Sequence, residues 1–310
     1  MADTASTAFA AAVQVALQST VLKNLRDKLV WADPSLSEHG TFDKATDQLM
    51  FLTYPDLSIT TPLTPLTEGT PPTARVITME NVRVGTSQYG DLVSVTDIAK
   101  VKAPNDIISI ASERVTRVAA EVIDRVMRTA IFTGGTAYYT SVDHTTRATI
   151  DNTDFITGLD ILKMRATAKK RNIPTFGDGT YHVYLAPGQV YDLKSETTDD
   201  TGWADLNKYD NSAEVRNDSI GVFHGCRIYE VNRAPTFAST VTVTGGLLLG
   251  DIKGWGCGDL QTLKAYHISG VDFGNPLDQL ERVGFKVMFG CAPLNNTYYM
   301  RIEGYATAIS

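Results

Sequence analysis

Signatures of chemistry are scarce in this sequence. Cysteine occurs only three times in 310 residues, at Cys226, Cys257 and Cys291. No two form a C-x-x-C pair, which argues against a zinc site or a disulfide framework and for synthesis in a reducing, intracellular place. No apolar run approaches the roughly 20 residues that span a bilayer, and mean hydropathy is -0.10. The chain therefore reads as a soluble protein with no membrane partner. The signatures G-x-x-x-x-G-K-[ST], G-x-S-x-G and H-E-x-x-H are all missing, so phosphate-loop, serine-hydrolase and zinc-protease chemistry have no anchor. Positive charge is in deficit as well. A formal net charge of -7 and a pI near 5.3 argue against gripping phosphate over a whole face.

What remains of candidate chemistry has plainer explanations. The one basic run, Lys163, Arg165, Lys169, Lys170 and Arg171, falls at the end of an expected helix that stops before Pro174. Cations there complement the negative end of the helix dipole. The glycine-rich "GWGCG" at 254–258 is expected to be a tight turn, with Cys257 a small buried thiol. Asp199, Asp200, Asp205 and Asp210 lack the spacing and closing Glu of a calcium loop. Asp143 and His144 are adjacent, and neighbouring side chains diverge too much to work as a dyad. No catalytic residue, cofactor or metal ligand is assigned.

What is present is structural. Phe9, Val13, Leu17 and Val21 recur every fourth residue, as does the apolar pattern on to Leu25 and Leu29. That predicts an amphipathic helix lying on its own core or on a neighbouring subunit. The N-terminus lacks the basic n-region of a signal peptide. Residues 31–72 are Thr- and Pro-rich and expected to be extended and irregular, because each proline removes a donor. Two β-rich runs, 75–84 and 92–98, flank Gly85 and Gly90 and predict a projecting hairpin. Next comes a long helix over about 105–132, capped by Asn105 or Asp106 and ended by Gly134 and Gly135. Its apolar stripe is Ile108, Ala111, Val115, Val118, Val122, Val126 and Ala130. Its other face is expected to carry the i,i+4 pairs Glu113–Arg117, Glu121–Arg125 and Asp124–Arg128. A second helix is predicted from Asp154 or Thr157 to Arg171. Strands follow at "YHVYLA", 225–234 and 240–252, with a short helix starting at Pro187. Two closing strands flank a Pro-Leu-Asn-Asn turn.

The order of these segments carries a resemblance. "LTEGTPP", the region with "QYGD" and "VTDIA", the long helix, "LAPGQVYDLKSE", the loop with Trp203, "IGVFHGCRIYEVNRAP" and "VGFKVMFGCAPLNNTYYMRIE" together resemble a tailed-bacteriophage major capsid protein. The nearest branch is the coat-protein family of N4-like phages. The resemblance implies an α+β chain with the Hong Kong-type capsid fold: an extended N-terminal arm (1–66), an E-loop hairpin (67–102), and a peripheral domain on a long spine helix (103–179). An axial domain (180–259) and return strands of the peripheral domain (260–310) complete it. Spine-helix packing would fall to Val115, Val118, Val122 and Val126, and inter-subunit arm contacts to Phe9, Val13, Leu17 and Val21.

The same resemblance implies self-assembly into hexameric and pentameric capsomers of an icosahedral shell. The shell would enclose double-stranded DNA without sequence-specific binding. It leaves room for separate scaffolding, portal and decoration proteins as partners. Because the chain begins almost directly with the arm, a separate scaffolding protein, or none, is expected. Localisation would be the virion capsid, after synthesis and assembly in the host cytoplasm. No Lys–Asn cross-linking pair is assigned among Lys100, Lys102 and Asn295. Two other readings stand beside this one: a cellular nanocompartment shell of the same fold, and a β-rich carbohydrate-active enzyme using loop carboxylates.

Overall fold

A helix of 27 residues, about 40 Å long, is the backbone of the molecule. The structure is a computed structural model and describes residues 31, 37–43, 48–54, 68–69, 76–103, 105–141, 144–195, 219–271 and 274–308. In chain order, β1 (Glu38–His39), β2 (Thr41–Asp43), β3 (Gln48–Thr53), β4 (Glu80–Gly85) and β5 (Ser87–Thr96) lead into α1 (Asp97–Lys102) and the long helix α2 (Ile107–Thr133). Then come β6 (Thr136–Tyr139), α3 (Gly158–Lys170), β7 (Tyr181–Leu185), α4 (Pro187–Ser195), β8 (Ser219–Phe223) and β9 (Cys226–Glu230). The chain closes with β10 (Thr236–Ala238), β11 (Thr242–Leu249), β12 (Trp255–Ile268), β13 (Leu280–Pro293) and β14 (Tyr299–Gly304).

Helix α2 starts where its sequence says it should. The Asp106 carboxylate accepts from the N–H groups of Ile108 (3.1 Å) and Ser109 (3.4 Å), satisfying two orphan donors of the first turn. Gly134 is its C-cap. The buried line runs through Val115, Ala119, Ile123, Met127 and Ile131. This line packs on the sheet ordered β1-β12-β13-β5. Trp31 seals the same core: its backbone N–H donates to buried Asp124 (3.0 Å), its indole Nε1–H donates to the Arg233 carbonyl (3.1 Å), and its ring meets Phe132 edge-on.

A second core lies on another sheet, ordered β6-β14-β11-β7-β9-β8 with β10 beside β11. Helix α3 begins with a capping box: Thr157 and Asp160 satisfy each other's backbone N–H groups. Ile161, Met164 and Ala168 from α3 and Val190 and Leu193 from α4 bury against Val183, Leu185, Ile228, Leu248 and Ile302. Each fully buried aliphatic side chain contributes about 1.5–3 kcal/mol. The cations Lys169 and Lys170 stand in the last turn of α3. Buried Glu303 on β14 pins the preceding loop, accepting from Arg147 Nε (2.7 Å) and Nη2 (2.8 Å).

Several expectations are corrected. The run 31–72 is not irregular throughout, since it contains β1, β2 and β3. The expected hairpin of 75–84 with 92–98 does not form. β4 pairs antiparallel with β3, Gln48 opposite Gly85 and Thr53 opposite Glu80, while β5 pairs with β13. Thr86 merely joins two strands of different sheets. "GWGCG" is no tight turn, because Trp255 to Gly258 open the strand β12. A Cβ on Gly256 would strike the Phe51 ring, and one on Gly258 would come within 2.7 Å of Leu49 Cδ2. The glycines give β3 side chains a place to lie. The closing strands flank a turn as expected but join different sheets, β13 the first and β14 the second. Sheet membership therefore cuts across the expected boundaries at 179/180 and 259/260: α3 belongs to the second core and β12 wholly to the first sheet.

On α2 the inward line is rotated from the expected stripe. Val115 is buried, whereas Val118, Val122 and Val126 are half-buried and flank the core. The i,i+4 pairs Glu113–Arg117 and Glu121–Arg125 are not made. Glu121 binds Arg233 (2.8 Å), and Arg128 donates to the Arg233 carbonyl (2.8 Å). The charges tie the helix to the loop after β9. The helix expected at the N-terminus, with Phe9, Val13, Leu17 and Val21, lies outside the described residues, as do Asp199, Asp200, Asp205 and Asp210.

Candidate assembly surfaces

Strands β3 and β4, six residues each, pair antiparallel with β2 on the free edge of β3. The root of this ribbon is anchored. Leu49, Phe51 and Val84 form a small core of their own, with Val82, Ala292 and Leu294 packed beside it. Its outer part is not. Leu52, Tyr54, Val76, Ile77 and Met79 are all more than half exposed, Val76 at 80%. Val76, Ile77 and Met79 lie in the run just before β4, beyond the last β3–β4 pair, Thr53 with Glu80, and an apolar group exposed in this way is costly to leave in water.

A second apolar group stands at the other end of the first sheet. Leu92 lies on β5, Ile98 and Val101 on α1, Ile268 at the end of β12, and Val271 and Leu277 in the loop before β13, all exposed. Register fixes the separation. Leu280 pairs with Thr96 at this end, and Phe289 pairs with Ser87 near the hairpin root, a span of about 30 Å at strand rise. The sheet is a ruler holding two unlike apolar surfaces apart.

Polar contacts keep the second group in place. Glu281 on β13 accepts from Lys100 on α1 (2.6 Å) and meets His267 Nε2 on β12 (2.6 Å). Burial works against the Glu281 charge, but the hydrogen bonds from Lys100 and His267 outweigh it and hold the carboxyl below its usual range. Thr96 caps α1 through Ala99 N–H (3.2 Å). Helix α1 is thereby clipped to the sheet with Ile98 and Val101 pointing away from it. Residues 97–98, expected to continue a strand, instead begin this helix.

His144 Nε2 meets Asp154 Oδ2 (2.8 Å). Cys257 Sγ and Ser37 Oγ share a hydrogen bond of 3.0 Å, and burial pushes the Cys257 thiol up, away from thiolate chemistry. Among the described residues no three His, Cys, Asp or Glu side chains gather to hold a metal ion. No helix among them is long and apolar enough to cross a membrane. Sequence reasoning singled out α2, the N-terminal region and a projecting run over 75–84, but not the second apolar group. The run "ARVITMENV" was assigned to a hairpin with 92–98, whereas its strand β4 pairs with β3.

Comparison with known proteins gives this geometry a context. The family model for phage capsid protein matches residues 80–297. No curated protein matches the chain. Among solved structures, the capsid of the cyanophage P-SCSP1u is similar with a TM-score of 0.65 at 16% identity, covering 88% of each chain. The capsid of Ralstonia phage GP4 gives 0.65 at 14%, covering 89% of this chain and 87% of that one. The capsid of cyanophage Pam1 gives 0.64 at 15%, covering 84% and 86%.

Proposed function

The chain belongs to the phage capsid protein family, and from that premise we infer how it works as a major capsid protein, the subunit from which the icosahedral shell of a tailed phage is built. The observation that carries the mechanism is the pair of unlike apolar surfaces, one at the outer end of the β3–β4 pair and the other beside the far end of the sheet β1-β12-β13-β5. Unlike surfaces on one subunit join head to tail, and head-to-tail contacts close into rings when the rotation permits. Six- and five-fold capsomers are such rings.

In this reading the E-loop, placed at 67–102 by the resemblance, also takes in the paired strands β3 and β4. Helix α2 with the sheet β1-β12-β13-β5 is the peripheral domain, α2 being its spine. The second sheet with α3 and α4 is the axial domain. Residues 1–30 act as the arm, with Phe9, Val13, Leu17 and Val21 meeting a neighbouring subunit. Within the family we place the chain with the N4-like coat proteins, on the segment order from "LTEGTPP" to "YYMRIE". The net charge of -7 suits a wall that encloses DNA without gripping it. Scaffolding, portal and decoration proteins are its further partners, and assembly takes place in the host cytoplasm before the chain resides in the virion.

Negative-stain electron microscopy with sedimentation velocity tests this. The purified chain, with scaffolding protein where one is needed, is expected to give capsomer rings or closed particles. A globular monomer that stays monomeric with scaffolding supplied overturns the reading. Particles that carry a protein cargo and never DNA would favour a nanocompartment instead.

A further inference from the structure

Two of the three cysteines stand opposite one another on neighbouring strands. Cys257 on β12 and Cys291 on β13 are direct partners in the antiparallel register. Such pairs alternate between hydrogen-bonded sites and non-hydrogen-bonded ones, where the Cα atoms approach to about 4.5 Å. The backbone tells which kind this is. Leu294 N–H donates to the Gly254 carbonyl at 3.0 Å, which puts the 254/294 position in the hydrogen-bonded phase of the ladder. The pair 255/293 is then non-bonded, as it must be, because Pro293 has no N–H to give. Two steps along the ladder, 257/291 is non-bonded too. The Cys257 carbonyl agrees: it faces away from β13 and accepts from Gly40 N–H at 3.2 Å.

Both side chains face the same way. Cys257 is buried in the core under α2, and Cys291 packs half-buried against that core. A Cα separation of about 4.5 Å lies inside the range a disulfide spans. Cys226 sits in the other core, on β9, and belongs to no such pair.

We propose that Cys257 and Cys291 are a latent cross-strand disulfide site, dithiol in the reducing compartment of synthesis and closed by a disulfide oxidant such as oxidised glutathione after release. The more accessible Cys291 thiolate attacks the oxidant's S–S bond and releases one glutathione thiolate. The Cys257 thiolate then attacks the Cys291 sulfur of the mixed disulfide and releases the second. The two electrons lost by the protein sulfurs reside on the two glutathione sulfurs, which take up the two protons. Burial pushes both thiols up, so closure is slow at neutral pH and faster in mild alkali. Once closed, the bond crosslinks β12 to β13 beside the hairpin root and shortens the unfolded chain's freedom.

The test uses the full chain, reduced and then incubated with oxidised glutathione at pH 8.5, with peptide mass mapping and counting of thiols after denaturation. The expected product is a 257–291 linked peptide, a thiol count falling from three to one with Cys226 free, and an apparent Tm higher by on the order of 5 °C. Dithiothreitol should reverse all three. Cys291→Ser, at a half-buried position, should keep the fold and abolish the link and the Tm rise, and Cys257→Ser should do the same if it folds. The proposal is overturned by a thiol count that stays at three, by glutathione left attached to Cys291 without closure, or by a disulfide between two chains.

Discussion

Single side chains hold this molecule together through buried polar contacts that no spacing in the sequence announces. Glu303 is fully buried, and Arg147, from a loop 156 residues earlier in the chain, clasps both its oxygens while its guanidinium lies 3.9 Å over the Phe237 ring. Glu303→Gln removes the charge and leaves Arg147 unbalanced. A loss of about 3 kcal/mol is expected, toward the lower end for a broken buried pair, because the Arg147 side chain keeps 32% exposure. Urea unfolding reads it, and an unchanged midpoint would refute the role. Asp178 gives a pH dependence. Burial opposes its charge, but hydrogen bonds from Thr180 and the neighbouring His182 prevail and lower it from 3.8 to about 2. Burial also lowers His182, which stacks on Phe176. Both pKa values are depressed on folding, so both contributions are complete above the unfolded values. That of His182 is lost as pH falls below 6.5. That of Asp178 is lost between 3.8 and about 2. Thermal melts should therefore show stability falling in two acid steps, with Asp178→Asn removing the lower one.

At the level of elements, what was legible depended on whether the cause was local. Helix α2 was readable because its period, its Asp106 cap and its terminal Gly134 all lie within the segment. The capping box of α3 and Pro187 at the start of α4 are equally local. Strand partners were not readable, because pairing is decided across the chain. β4 takes β3, from which 26 residues separate it, and β5 takes β13 near the C-terminus. The glycines of "GWGCG" misled for the same reason, since what they make room for, Phe51 and Leu49, lies some 200 residues away. Gly256→Ala should cost about 1–3 kcal/mol by overpacking, and less in a Phe51→Ala background, where the ring is gone; equal costs in both would refute the contact. The rotated face of α2 makes a sharper test. Ala119 has no exposed surface, whereas Val118 is half-buried. Ala119→Asp should abolish soluble, cooperatively folding protein, because a charge would enter the sheet contact. Val118→Asp should fold with lowered stability. The reverse order would restore the stripe first read from the sequence.

At the scale of the whole molecule, burial is accounted for inside the subunit but not at its edges. Its two cores account for the burial of α2, α3 and α4, yet Val76, Ile77 and Met79 are left in water on a ribbon that no part of the same chain covers among the described residues. The second apolar group is held out on a helix whose contacts with Glu281 face inward. If the ribbon of one subunit seats on a neighbour, charging it should separate folding from assembly. Ile77→Asp with Met79→Asp puts two carboxylates where burial on assembly is expected, and neither residue belongs to a core of the isolated chain. The variant should match the parent's circular dichroism and melting temperature. It should sediment as free subunits under conditions in which the parent forms rings or particles. Loss of the fold would mean that the ribbon is needed within the subunit. Normal particles would mean that the contact between subunits runs elsewhere.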